Sequence, residues 1–155
     1  MRIKTVKGIV DGIKKVDSES AINQGIIRLL FEQGELKSFS RGNRIVSDMD
    51  QVVEDLNRIY NIDEKDSIPR IRSIRNAFGE LRTLRPELGI SEEGIRFLVT
   101  MDYIPHIDIG NRSYVALECF EPPYDQCLIN FDYRDARKKE RERIFQQTFE
   151  AMGLA

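Results

Sequence analysis

Apolar and polar positions along this chain follow a rhythm that is run through twice. Val6, Ile9, Val10 and Ile13 recur at helical spacing and predict a short helix over residues 6–15. Ile22, Ile26, Ile27, Leu30 and Phe31 form a second stripe, predicting a helix capped by Ser18 or Ser20 and ended near Gly34. The period then shortens: residues 36–40 and 44–46 flank Gly42-Asn43, a dipeptide suited to the positive φ of a tight hairpin. Ser47 and Asp50 mark a capped start, and Met49, Val52, Val53, Leu56, Ile59 and Tyr60 form the stripe of a third helix.

The same order returns downstream. Ile71, Ile74, Phe78, Leu81 and Leu84 predict a helix stopped by Pro86, and Ser91-Glu92-Glu93 opens another in which Ile95, Leu98 and Val99 face inward, with Asp102 near its end. Residues 104–109 and 112–115 then predict a ribbon around Gly110-Asn111, after which Pro122-Pro123 blocks a long exit helix. The repetition is literal. Ile27-Arg28-Leu29-Leu30 and Gly42-Asn43-Arg44 are matched, at an ungapped offset of 68 residues, by Ile95-Arg96-Phe97-Leu98 and Gly110-Asn111-Arg112. The offset predicts that Ile27 superposes on Ile95 and Gly42 on Gly110.

The expected fold class is mainly α with small β-wings: two tandem winged helix-turn-helix units plus a C-terminal helix. The first unit covers residues 1–60, residues 61–67 form a polar, acidic linker, the second unit covers 68–123, and 124–155 hold a tail and the last helix. A repeat of this length in 155 residues favours two small cores over one. From about Asp132 the last helix carries Arg134, Arg137, Lys138, Lys139, Arg141 and Arg143, then a stripe of Ile144, Phe145, Phe149 and Met152. That stripe needs burial, either on a second chain or, as the commoner outcome for a short tail, on its own domain.

The net charge of −2 hides segregated blocks: +3 over residues 1–17, −4 over 18–67, +4 over 68–85, −7 over 86–133 and +2 over 134–155. Lys4, Lys7, Lys14 and Lys15 in one block, and Arg70, Arg72, Arg75, Arg82 and Arg85 in the other, precede the repeated motif each time. In a helix-turn-helix the first helix crosses the phosphate backbone, so recurring basic residues there point to DNA, against the alternative of a solvated helix face.

Thr5-Val6-Lys7, the stretch Ile27-Arg28-Leu29-Leu30, the Gly34-Glu35-Leu36 turn, Gly42-Asn43-Arg44-Ile45-Val46 and the capped helix from Ser47 resemble the excisionase-like, MerR-related winged-helix family. The second unit is similar at Ile68-Pro69-Arg70-Ile71-Arg72, Ile90-Ser91-Glu92-Glu93-Gly94-Ile95-Arg96, Tyr103-Ile104-Pro105 and Gly110-Asn111-Arg112, and the two stretches cover roughly two thirds of the chain. The resemblance implies a sequence-specific DNA-binding accessory or regulatory protein, in which the second helix of each unit enters the major groove and the wing touches phosphate or the minor groove. It implies that Asn23, Gln24 and Arg28 face DNA in the first unit and Ser91, Glu92 and Arg96 in the second, with Arg41, Asn43, Arg44, Asn111 and Arg112 at the wing tips. Double-stranded DNA is then the partner, with room for a recombinase or other protein beside it.

Other readings of these residues remain open. Arg28 and Arg96 also suit a pairing with a neighbouring carboxylate, such as Glu32 one turn after Arg28. Glu92 and Glu93 stand where phosphates would approach, so the acidic second unit also fits a protein partner, with winged-helix units used as interaction modules. His106 reads as structural, and Cys119 and Cys127, with no partner motif, read as free thiols. No phosphate-cradling glycine loop, metal-spaced Cys/His cluster or nucleophile elbow is present, so no enzyme, cofactor or metal is expected. The absence of a long apolar run and of a secretory leader predicts a cytoplasmic protein.

Overall fold

The computed structural model describes residues 2–64, 66–126, 128 and 133–153. The chain opens with a short strand β1 (Ile3–Thr5), which the apolar pattern does not predict because three residues carry too little periodicity. Thr5 accepts the Gly8 N–H and caps α1 (Val6–Val16). Helix α2 (Gln24–Glu32) is capped by Asn23, not by the expected Ser18 or Ser20, because Asn23 Oδ1 accepts the Ile26 N–H at 2.9 Å. Gly34 at φ +76° closes it, and the Glu35 N–H returns to Leu30 O. Strands β2 (Phe39–Arg41) and β3 (Arg44–Asp48) form the expected hairpin, although β2 begins three residues late. Helix α3 (Met49–Ile59) follows, capped by Asp48 and not Ser47, whose hydroxyl donates to Lys37 O instead.

The second half repeats this order at the offset of 68: β4 (Ile71–Ser73), α4 (Ile74–Leu84), α5 (Glu92–Thr100), β5 (Ile107–Ile109) and β6 (Arg112–Ala116). Ile71 therefore belongs to a strand and not to the helix its spacing suggests. The caps recur with different residues, Ser73 for Thr5 and Ser91 for Asn23, and Asp102 takes a positive φ of 60° where the first repeat has Gly34. Gly110-Asn111 is a two-residue turn between paired Ile109 and Arg112. The repeats part company at α3, whose counterpart is a single 3₁₀ turn at Leu117–Phe120 ahead of the two prolines. The fold is thus mainly helical, with two antiparallel three-stranded sheets of order β1-β3-β2 and β4-β6-β5.

The expected pair of separate cores is instead one. Ile9, Ile13, Ile27 and Leu56 of the first repeat and Ile71, Ile95, Val115 and Phe120 of the second, all fully buried, belong to a single continuous cluster. Each such side chain contributes about 1.5–3 kcal/mol by leaving water, and polar contacts tie the halves further. The Ala21 N–H donates to Ile71 O at 2.9 Å, and Tyr60 Oη donates to Tyr114 O at 3.0 Å. Burial, followed by the negative field of Cys119, Asp108 and Glu118, pushes the Tyr60 phenol well above its ordinary pKa, so it remains a donor. The connection over residues 61–67 is pinned: Ile62 is buried, and Asn57 Nδ2 donates to Glu64 O and Ser67 O.

Helix α6 (Tyr133–Ala151) completes the described chain. Its apolar stripe is not docked on the body as expected, because Ile144, Phe145 and Met152 are 51, 63 and 64% exposed. Phe145 instead packs against half-buried Phe149 of the same helix, with ring centroids 4.5 Å apart and planes tilted by 49°. No described helix is long and apolar enough to cross a membrane. The expected helix start at Asp132, the Arg134 side chain and Cys127 lie outside the described residues. Cys119 is buried, its Sγ 3.8 Å from Tyr60 O.

Candidate nucleic-acid interface

In the first repeat the N-terminal ends of α1 and α2 converge on the hairpin turn. Lys7, Gln24, Arg28, Asn43, Arg44 and Ile45 line a shallow cleft there of about 360 Å³. Lys7, Arg28 and Arg44 are exposed, and among the described residues none of them is ion-paired with a carboxylate. Arg28 Nη2 donates to Gln24 Oε1 at 3.2 Å across one helical turn, so its neighbour is this neutral amide and not Glu32. Three cations, two amides and no carboxylate make this a wall of hydrogen-bond donors facing solvent. Asn23 is spent on its cap, which places its side chain in a structural task. Arg41 lies in β2 and is exposed beside the turn.

Shifting by 68 residues turns Lys7, Gln24, Arg28, Asn43 and Arg44 into Arg75, Glu92, Arg96, Asn111 and Arg112. The cations persist, and Arg75, Arg96, Asn111 and Arg112 are exposed. The difference is Glu92, whose Oε1 accepts from Arg96 Nη2 at 3.1 Å in the place where Gln24 holds Arg28. Glu93 is held by Arg137 of α6 at 3.2 Å. Both carboxylates of this first turn therefore carry a cationic partner, and they also sit favourably at a helix N-terminus. Ser91 is the cap of α5 and, like Asn23, is occupied by the backbone.

The hairpin of the second repeat has an acidic neighbourhood that the first lacks. His106 lies between Asp102 (Nε2 to Oδ1, 3.0 Å) and Asp108 (Nδ1 to Oδ1, 2.8 Å), and Asn111 lines the same hollow. Burial raises the Asp108 pKa, but hydrogen bonds from the Ser113 hydroxyl and His106 outweigh it and hold the carboxyl below its ordinary value. Among the described residues, no group of three or more His, Cys, Asp or Glu is placed to hold a metal ion.

Most of the basic block at residues 68–85 is consumed internally. Arg70 binds Glu118 at 2.7 Å and Glu121 at 2.5 Å, and Arg85 binds Glu87 and Asp125. Arg72, 4% exposed, holds Asp17 through both terminal nitrogens and Glu80 through Nε. Arg82 lies over the Phe78 ring. Arg75 is exposed and alone of the five stands at the register position of Lys7. The chain matches no protein-family model, no curated protein and no solved structure.

Proposed function

We propose that the chain is a sequence-specific DNA-binding accessory or regulatory protein built from two tandem winged helix-turn-helix units. In this reading α2 and α5 enter neighbouring major-groove segments of duplex DNA. The β2–β3 and β5–β6 hairpins are the wings. The observation that carries the reading is the recurrence, at one register, of three exposed cations on three different elements: Lys7, Arg28 and Arg44, then Arg75, Arg96 and Arg112. Such a set is arranged to meet a phosphate-lined groove from one side, with base edges within reach of the helix and phosphates within reach of the first helix and the turn.

Chemistry at this face is recognition. Arginine offers two parallel donors that match the O6 and N7 acceptors of guanine, and Gln24 offers the donor and acceptor that match adenine. Because both units lie in one chain and share one core, the protein holds two reading heads at a fixed separation, as a two-fold dimer does elsewhere. Selection of bound sequences from random duplex DNA tests the proposal. A bipartite enriched site is the expected result, and the absence of any enriched sequence would contradict it.

A second reading, a protein-interaction module, is favoured by the exposed Ile144, Phe145 and Met152 of α6 and by the acidic hollow around His106. The hollow shares Asn111 with the second hairpin turn, so a protein partner seated in it would meet the same turn that the DNA reading uses.

A further inference from the structure

The two repeats present the same arginine but not the same residue beside it. Gln24 and Glu92 are each the first residue of their helix, each half-buried, and each accepts a hydrogen bond from the arginine one turn on, at 3.2 and 3.1 Å. Lys7, Arg28, Asn43 and Arg44 around Gln24 have Arg75, Arg96, Asn111 and Arg112 as counterparts around Glu92, and although Glu93, held by Arg137, replaces Gly25, the difference at the position itself is chemical: an amide that both donates and accepts against a carboxylate that only accepts. The polar tips thus stand side by side, an i, i+4 pair on one face, at the end of the helix that leads into a groove.

From this we infer that position 24/92 sets a different base preference in each unit: Gln24 selects adenine and Glu92 selects cytosine, each beside a guanine read by Arg28 or Arg96. The inference rests on the DNA-binding reading above. Adenine shows the major groove an N7 acceptor and an N6 donor, which an amide satisfies together, whereas a carboxylate facing N7 would meet lone pair with lone pair. Cytosine shows an N4 donor, which a carboxylate accepts. The paired arginine serves both arrangements, since its remaining N–H groups are free to reach O6 and N7 while one holds its neighbour. A rise of about 6 Å separates residues four apart along a helix, and base pairs are stacked about 3.4 Å apart, so the two selected bases fall within about two steps of each other. The recognised site is therefore asymmetric despite the internal repeat.

The test uses the full-length chain and its Gln24→Glu and Glu92→Gln variants in selection from random duplex DNA, with circular dichroism to show that the helices persist. Wild type should enrich one half-site with adenine near guanine and another with cytosine near guanine. Glu92→Gln should exchange the cytosine for adenine, a change of preference of about ten-fold, and Gln24→Glu should do the converse in the other half-site. Variants that bind with the wild-type preferences at both positions would overturn the assignment while leaving DNA binding intact. No enriched sequence for the wild type would overturn both, so the two failures are distinguishable. A purely structural role for Glu92 would change affinity or stability but not the identity of the preferred base.

Discussion

Replacing Arg72 by alanine should be among the most destabilising single changes in this protein. The guanidinium is 4% exposed and makes four hydrogen bonds, two to Asp17, one to Glu80 and one to Ile71 O. Its removal strands two carboxylates that face it, one in each repeat, with Asp17 only 12% and Glu80 35% exposed. Breaking one partner of a buried pair costs about 3–5 kcal/mol, and the partial exposure of Glu80 places the expected loss near the lower end, about 3 kcal/mol. At roughly 2–4 °C per kcal/mol for a chain of this size, the melting temperature should fall by about 6–12 °C. Urea unfolding of wild type, Arg72→Ala, Asp17→Asn and the double variant measures the loss and the coupling, expected at about 2 kcal/mol. Because the repeats share one core, each protein should unfold in a single transition. A loss below about 1 kcal/mol, or two separate transitions, would refute this reasoning.

Three further outcomes follow from the same geometry. Arg28→Ala and Arg96→Ala, both at exposed helix positions, should change stability by less than about 0.5 kcal/mol yet weaken binding to a selected duplex by about 1–3 kcal/mol, read by fluorescence anisotropy; unchanged affinity in both would favour the interaction reading. Asp108 is held below the ordinary carboxylate range, so its contribution to stability is complete above the unfolded pKa near 4 and drains away as pH falls through the lower folded value. The stability difference between wild type and Asp108→Asn should accordingly shrink between about pH 5 and pH 3, and a difference that stays constant or widens would show that the Ser113 and His106 bonds do not favour the charged form. Truncation after Arg143 should leave the melting temperature unchanged, because Ile144, Phe145 and Met152 are not buried against the body; a clear fall in melting temperature without a change in sedimenting mass would show that the stripe docks on its own chain.

What could be read from the sequence is what is encoded locally. The stripes of α1 and α5, that of α2 from Ile26 onward, and the Gly42-Asn43 and Gly110-Asn111 turns depend on residues within a few positions of one another and appear where the pattern places them, whereas Ile22, counted in the α2 stripe, precedes the helix. Strands β1 and β4 do not, because Ile3-Lys4-Thr5 and Ile71-Arg72-Ser73 become strands only by pairing with β3 and β6, more than forty residues away. Long-range partners also decide the fate of the arginines: nothing near Arg72 announces that Asp17, 55 residues earlier, will claim it. For the candidate site, the sequence placed Gln24, Arg28, Asn43 and Arg44 in one group, and the fold brings these four to one cleft, but the tasks of their neighbours were not legible. Asn23 and Ser91 look like groove-facing polar residues until the backbone N–H groups they cap are seen. Lys7 and Arg75, equivalent in register, join the face only because the helix they open lies against the hairpin turn, a matter of packing that periodicity does not carry.

Binding to duplex DNA as a function of salt tests the central claim most directly. If Lys7 and Arg44 and their counterparts Arg75 and Arg112 meet phosphate while Arg28 and Arg96 read bases, four phosphate contacts are formed, and the slope of log affinity against log salt should approach about −3.6, at about −0.9 per contact. Replacing Lys7 or Arg75 by alanine should flatten it by about one unit each, and replacing both by about two. A slope near zero in the full-length protein, or a steep slope indifferent to these substitutions in both repeats, would contradict the assignment of the repeated face to DNA.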